Sequence, residues 1–247
     1  MSMRPKVAFF DFTSCEGCQL QIANLEDELL DVLSLIEPVN FREVMTERSD
    51  DYAVAFIEGA CTRPHDEERL KEIRSHAAIL VAYGACAHLG GVNCMKNFFD
   101  QDQVRAYVYG DKAAWFDTYP ARPISAVVKV DAVIPGCPVD KKEVVATVKA
   151  LLMGKALRLS DNPVCVECKL AENVCVFEKG LTCLGPVTRA GCGAVCPSFG
   201  NKCLGCRGLV DNPNLNAHKG LLQERGLTVE QLLNSFRMFD GYLEVAK

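Results

Sequence analysis

The sequence predicts an α/β fold: a mainly parallel sheet with helices on both faces, followed by a smaller, irregular to helical domain rich in cysteine. Three observations carry this. Apolar runs of strand-forming residues alternate with helical stretches along the first 152 residues or so. Two of those runs, YAVAFIEG (52–59) and AAILVAYG (77–84), are apolar almost throughout and end in glycine, the pattern of strands buried on both faces. Beyond Val164 the chain turns to cysteine, glycine and proline with no clear hydrophobic period.

Residues 6–12 (KVAFFDF) give a first strand that runs into the loop Thr13-Ser14-Cys15-Glu16-Gly17-Cys18. Ile22, Leu25, Leu29, Val32, Leu33 and Ile36 recur at spacings of three and four, so one helix is expected there, with Pro38 at its exit. NFREVM (40–45) is a weak second strand, 52–59 the third, DEERLKEIRSH (66–76) a polar-faced helix and 77–84 the fourth strand. After a polar and aromatic stretch around Trp115, the run AVVKVDAVIPG (126–136) ends at Cys137, and Val144, Val145, Val148, Leu151 and Leu152 outline a further helix. Residues 155–164 (KALRLSDNPV) read as a linker, because Asp161-Asn162-Pro163 is turn chemistry. It separates a domain of residues 1–155 from one of residues 160–247. In the second, Thr228 and Gln231 form a capping box before a terminal helix striped by Leu232, Leu233, Phe236 and Phe239.

The 247 residues are 49% hydrophobic and 24% charged, an ordinary globular balance, and a net charge of -5 offers no basic stripe for nucleic acid. No stretch approaches the roughly 18 apolar residues of a spanning helix, so direct membrane insertion is not expected. The opening MSMRPKVAFFDF has only a short apolar run, interrupted by Asp11, and no twin-arginine pair, which points to the cytoplasm. Thiols stay reduced there, so fourteen cysteines signal metal or redox chemistry rather than disulfides.

Their spacing sharpens this. Cys15, Cys18, Cys86 and Cys137 each follow an expected strand, and the carboxyl ends of an open parallel sheet share one edge. Four thiolates there satisfy one 4Fe-4S cluster, with Gly17, Gly84, Gly90, Gly91 and Gly136 letting backbone approach it. From Cys165 the pattern is C-x2-C-x6-C-x7-C-x8-C-x3-C-x6-C-x2-C, eight thiols for two more clusters, and Cys192-Gly-Ala-Val-Cys196-Pro197 is the C-x3-C-P tail of the bacterial ferredoxin run. Structural zinc is the alternative for each group, although zinc held by four cysteines usually uses paired C-x2-C knuckles. Three clusters in series would make an electron wire. No Ser/His/Asp arrangement, phosphate-binding loop or dinucleotide fingerprint occurs, so no catalytic residue and no nucleotide site is assigned.

Cys15-Glu16-Gly17-Cys18, Ile57-Glu58-Gly59, Gly84-Ala85-Cys86 with Gly90-Gly91, and Gly136-Cys137-Pro138 resemble, in that order, the small subunit of nickel-iron hydrogenases, and the likeness covers nearly the whole chain. The eight-cysteine tail is most similar to the cytoplasmic, multisubunit, group-3-like branch. The resemblance implies a flavodoxin-like first domain with a proximal 4Fe-4S cluster on Cys15, Cys18, Cys86 and Cys137, facing a large subunit that carries nickel and iron. It implies a medial cluster on Cys192, Cys196, Cys203 and Cys206 and a distal one on Cys165, Cys168, Cys175 and Cys183. A further electron-transfer subunit, working with flavin, NAD(P), ferredoxin or a heterodisulfide, would take the electrons.

Cys165 stands where periplasmic members use histidine. Cys196 stands near a proline of theirs, which implies a four-iron medial cluster here. Gly17 and Gly91 occupy the positions at which oxygen-tolerant relatives add cysteines. The rivals are the iron-sulfur subunit of a related quinone-reductase-like complex, which carries an adjacent cysteine pair and one cluster, and a zinc-stabilised interaction module. Of the remaining residues, Cys61 and Cys94 are expected to be buried structural thiols. Glu16 is either a proton relay or a charge that makes the first cluster harder to reduce, or simply a first-turn helix acid. Glu58 is expected at the large-subunit interface, and His88 either bonded to a cluster sulfur, facing the partner, or satisfied within its loop. His65, His76 and His218 are expected on the surface.

Overall fold

The computed structural model describes residues 4–155 and 157–245; residues 1–3 of the N-terminal reading, Ala156 of the linker and the last two residues of the second domain's range lie outside it. Five strands, β1 (Lys6–Asp11), β2 (Glu37–Phe41), β3 (Val54–Glu58), β4 (Ile79–Tyr83) and β5 (Ala132–Ile134), form one sheet in the order β2-β1-β3-β4-β5. All four pairings are parallel. This is the flavodoxin-like doubly wound order, with the switch in strand direction of travel between β1 and β3.

Alternation along the strands builds two cores. Val7 and Phe9 of β1, Phe56 of β3 and Val81 and Tyr83 of β4 pack on one face. There they meet α1 (Gly17–Ala23), α2 (Asp27–Leu35) and α6 (Lys141–Leu152) through Ile22, Val32, Val144 and Val148. Ala8, Phe10, Ile57, Leu80 and Ala82 pack on the other face, against Leu70 and Ile73 of α3 (Pro64–His76) and against Ile124. At the start of α3, Pro64 takes a first-turn position and the Asp66 carboxylate accepts the amides of Thr62 and Arg63 at 3.0 and 3.1 Å.

The structure corrects three boundaries. The expected single helix after β1 is two, broken at Glu26, whose φ is 56°, although Ile22, Leu25 and Val32 still reach the same core. Pro38 lies inside β2 rather than ending a helix, which an edge strand allows because its missing N–H faces away from the sheet. Within 126–136 only Ala132–Ile134 pairs as strand. The aromatic stretch becomes α5 (Gln101–Tyr109) and a 3-10 turn, none of whose residues is buried, with Tyr107 and Trp115 largely exposed.

Beyond the linker come α7 (Val164–Leu170), α8 (Val195–Ser198), α9 (Leu215–Glu224) and α10 (Val229–Val245), the first two embedded in irregular chain. The capping box forms: the Thr228 amide donates to Gln231 Oε1 at 3.0 Å and the Gln231 amide to Thr228 Oγ1 at 3.2 Å. From there α10 reaches both regions. Leu232 joins the apolar cluster of the tail, whereas Gly241 lets the helix come so close to the 3-10 turn Gly91–Phe98 that a Cβ would lie 3.0 Å from the Phe98 ring. Among the described residues no helix is long and apolar enough to cross a membrane.

Candidate metal centre

All four cysteines of the first group sit just past strand carboxyl ends, and backbone bonds draw their loops together. Thr13 and Ala60 exchange amide-to-carbonyl bonds at 3.2 and 2.9 Å, tying the loop after β1 to the loop after β3. The Gly84 amide donates to Ile134 O at 2.8 Å and the Ala85 amide to Gly136 O at 2.6 Å, tying the Cys86 turn to the Cys137 loop. Glycine is required at two of these points. A Cβ on Gly84, where φ is +88°, would lie 2.5 Å from Cys18 Sγ, and one on Gly59, where φ is +95°, would lie 2.6 Å from the Phe12 backbone.

Cys18 is buried, Cys86 half-buried, and Cys15 and Cys137 exposed, so the group opens to solvent on one side. Burial pushes the Cys86 thiol up to about 12, with Cys137 and Cys15 adding to the shift, and it also raises Cys18, where Glu58 and then Cys86 contribute. Thiols this close do not ionise together unless a cation compensates them, and bound metal does that by displacing their protons. Gly17 and Gly91 lie against two of these sulfurs: a Cβ on each would stand 3.3 Å from Cys15 Sγ and 3.1 Å from Cys86 Sγ.

In the tail, Cys192, Cys196, Cys203 and Cys206 line one cavity of about 320 Å³, and Cys137 of the first group shares its wall. A hydrogen bond from the Cys137 backbone falls on the Cys206 sulfur. Cys165, Cys168, Cys175 and Cys183 form the other set: burial raises the Cys165 thiol to about 11, reinforced by Cys183, Cys168 and Cys175 in turn. The two sets adjoin at Cys183, whose sulfur accepts the amides of Gly185 at 3.4 Å and Cys203 at 3.2 Å. Gly185 sits between them, and a Cβ there would lie 3.3 Å from Cys183 Sγ and 3.5 Å from Cys165 Sγ. Cys137 thus adjoins Cys206, and Cys203 adjoins Cys183.

Among the described residues no three His, Cys, Asp or Glu side chains converge on the position of a single metal ion. Cys192, Cys196, Cys203 and Cys206 stand around a space, and such all-thiol donors fit a cluster held at its corners. Amides directed at sulfur would tune its potential.

Glu58 departs from expectation. It is 2% exposed, and its two carboxylate oxygens accept the Cys18 and Gln19 amides at 3.1 and 3.0 Å, so it anchors the start of α1 from the end of β3 instead of standing on the surface. Burial raises its pKa, and those two amides work against the rise. Glu16 precedes α1 in the left-handed region with φ 60° and makes no capping bond; its carboxylate pairs with Arg42 at 3.6 Å.

His88 is held neutral, pushed down to about 4 by burial and by the charges of Arg189 and Arg207, and its ring lies near Gly208 of the tail. His65 and His76 are exposed, but His218 is 4% exposed, because α9 turns it into the tail's core against Phe236. Cys61 and Cys94 are fully buried, as expected of structural thiols. Two groups were missed from the sequence: Arg207, fully buried beside Cys206, and Asp240, buried at a kink in α10. Only the adjacency of Arg207 to a tail cysteine in the string Cys206-Arg207-Gly208 hinted at it.

Comparison with known proteins agrees with this geometry. The family model for the NADH ubiquinone oxidoreductase 20 kDa subunit matches residues 15–151. Sulfhydrogenase 2 subunit delta of Pyrococcus furiosus is 36% identical, over 95% of this chain and 98% of its own length. One component of the F420-non-reducing hydrogenase vhu of Methanocaldococcus jannaschii is 34% identical, over 85% of this chain and 84% of its own. The actinobacterial-type NiFe-hydrogenase of Ralstonia eutropha H16 superposes with a TM-score of 0.56 at 17% identity, covering 99% of this chain and 92% of that one, a likeness of fold.

Proposed function

The chain belongs to the family of the NADH ubiquinone oxidoreductase 20 kDa subunit, and within that family we propose that it is the electron-transfer small subunit of a nickel-iron hydrogenase. The single observation that carries the reading is the cavity of about 320 Å³ whose wall holds Cys192, Cys196, Cys203 and Cys206 and is shared by Cys137 of the sheet edge. It supports three 4Fe-4S clusters in line: proximal on Cys15, Cys18, Cys86 and Cys137, medial on the four cavity cysteines, distal on Cys165, Cys168, Cys175 and Cys183.

Each cluster, when bound, supplies a one-electron carrier. The chain's own part is to space the three sets and aim amides at sulfur. Hydrogen chemistry belongs to the partner large subunit, which carries nickel and iron and covers the face where Cys15 and Cys137 are exposed. Electrons leave by the distal set to a further redox subunit, and the complex works in the cytoplasm.

The name of the matching family favours one rival, a subunit of a quinone-reductase-like complex. Two features separate them. The Cys15 and Cys18 ligands are spaced by two residues rather than adjacent, and the eight tail cysteines lie beyond the matched residues 15–151.

Iron, acid-labile sulfide and zinc analysis of the chain with its co-purifying partners, with electron paramagnetic resonance after dithionite, tests the proposal. About twelve irons and twelve sulfides are expected at four per cubane. Zinc in the tail with a single cluster would overturn the wire.

A further inference from the structure

Where the tail meets the sheet domain, one side chain crosses the seam. Arg207 follows Cys206 and is 1% exposed. Its guanidinium donates to both carboxylate oxygens of Glu143 on α6, each at 2.8 Å, and to the Pro135 carbonyl, also at 2.8 Å. Its Nε donates to the Ala190 carbonyl at 3.1 Å. Both carbonyl acceptors stand two residues before a cysteine of the proposed wire, Pro135 before Cys137 and Ala190 before Cys192. The backbone is shaped to admit the fork: Gly191 has φ +125°, and a Cβ there would lie 2.2 Å from Arg207 Nη2.

A buried cation is costly unless it is paired and hydrogen-bonded, and replacing a whole buried ion pair with well-packed apolar residues of similar volume is often neutral or stabilising. A mere strut across the seam therefore needs no charge. This charge also sits where it acts. Arg207 lines the cavity of about 320 Å³ together with Cys137, Cys192, Cys196 and Cys206, whereas Glu143 lies behind the guanidinium, outside that lining and 21% exposed. The positive end of the pair faces the sulfurs, and the negative end is partly screened by solvent.

Resting on the cluster reading above, we propose that Arg207 is the fixed charge that sets the potential of the medial cluster, with Glu143 as its counterweight. In the step concerned one electron leaves the proximal cluster, which is oxidised, and reduces the medial one; no bond forms or breaks. The reduced medial cluster carries one more negative charge, and a cation held against it in a low dielectric stabilises that state over the oxidised one. Arg207 thereby draws the electron inward from the sheet edge.

Redox titration of the complete complex, followed by electron paramagnetic resonance, decides this by sign. Arg207→Gln moves one cluster's midpoint to more negative potential and Glu143→Gln moves the same midpoint to more positive potential. Arg207→Lys, which keeps the charge and loses the fork, leaves it in place. A strut gives a different pattern, with iron or thermal stability lost while midpoints hold still, or with both neutral variants shifting the same way; either result overturns the proposal. If Arg207→Gln does not retain iron, Glu143→Gln alone decides, since it keeps the cation and an unmoved midpoint refutes the counterweight. Wild-type complex without iron at this set would overturn the cluster reading and this inference together, and that shows before any variant is made.

Discussion

The sheet domain and the cysteine tail solve the same packing problem with different material. Around the sheet, strand residues alternate into two apolar clusters, and each is closed by helices whose stripes match it. In the tail the single apolar cluster counts Cys183 and Cys203 among its buried members and Cys168, Cys175 and Cys192 among its half-buried ones. Without the thiols the buried members are Val164, Val176, Phe177, Leu184, Ala194, Leu222 and Leu232, with Leu221, Leu227 and Phe236 packed against them. One region is held by its own side chains, and on the proposed reading the other leans also on what its thiols bind.

The largest effect expected from that difference follows metal removal. Under a strong chelator and reductant, hydrogen exchange should accelerate across residues 165–206 while Val54–Glu58 and Ile79–Tyr83 keep their protection, because ligand binding energy is folding energy only in the tail. Uniform protection in both regions would end the comparison. Next, Phe56→Ala should cost about 3–5 kcal/mol, since the ring is buried in the first sheet core and stacks on Phe9 at 5.0 Å. Thermal unfolding should show that loss even with metal bound, and a loss below about 1 kcal/mol would mean that metal holds the sheet as well.

The smallest effect concerns pH. Burial raises the Asp240 carboxyl to about 7, above its unfolded value near 4, so the native state holds the proton more tightly. Its stabilisation is complete below about pH 4 and is lost as pH rises through 7. Asp240→Asn, which mimics the protonated form, should remove at most about 4 kcal/mol of that pH dependence. Melting midpoints at pH 5 and 8 should draw closer in the variant; an unchanged gap would assign the slope to other groups.

Much of the sheet domain was legible because its signals are local. Apolar runs mark β1, β3 and β4, and helix stripes mark α1 to α3 and α6. The break at Glu26 was not legible, because no glycine or proline marks it and the stripe of Ile22, Leu25 and Val32 continues across it. Nor was the short β5, since paired length depends on β4 beside it rather than on the apolar run itself.

In the tail the thiols were legible by spacing, whereas the polar groups around them were not. His218 reads as a surface residue until α9 is placed, and Arg207 gains its partners only when Glu143 and Pro135 arrive from 64 and 72 residues away. Glu58 reverses the error: position at the sheet edge suggested an outward role, and the bare amides of Cys18 and Gln19 claimed it first.

The exposure of Cys15 and Cys137 beside buried Cys18 also bears on how such a molecule is made. On the proposed reading, iron and sulfide must be delivered through the face that the large subunit later closes. Maturation then precedes docking, and the cell must guard an open, oxygen-vulnerable intermediate in the interval between the two.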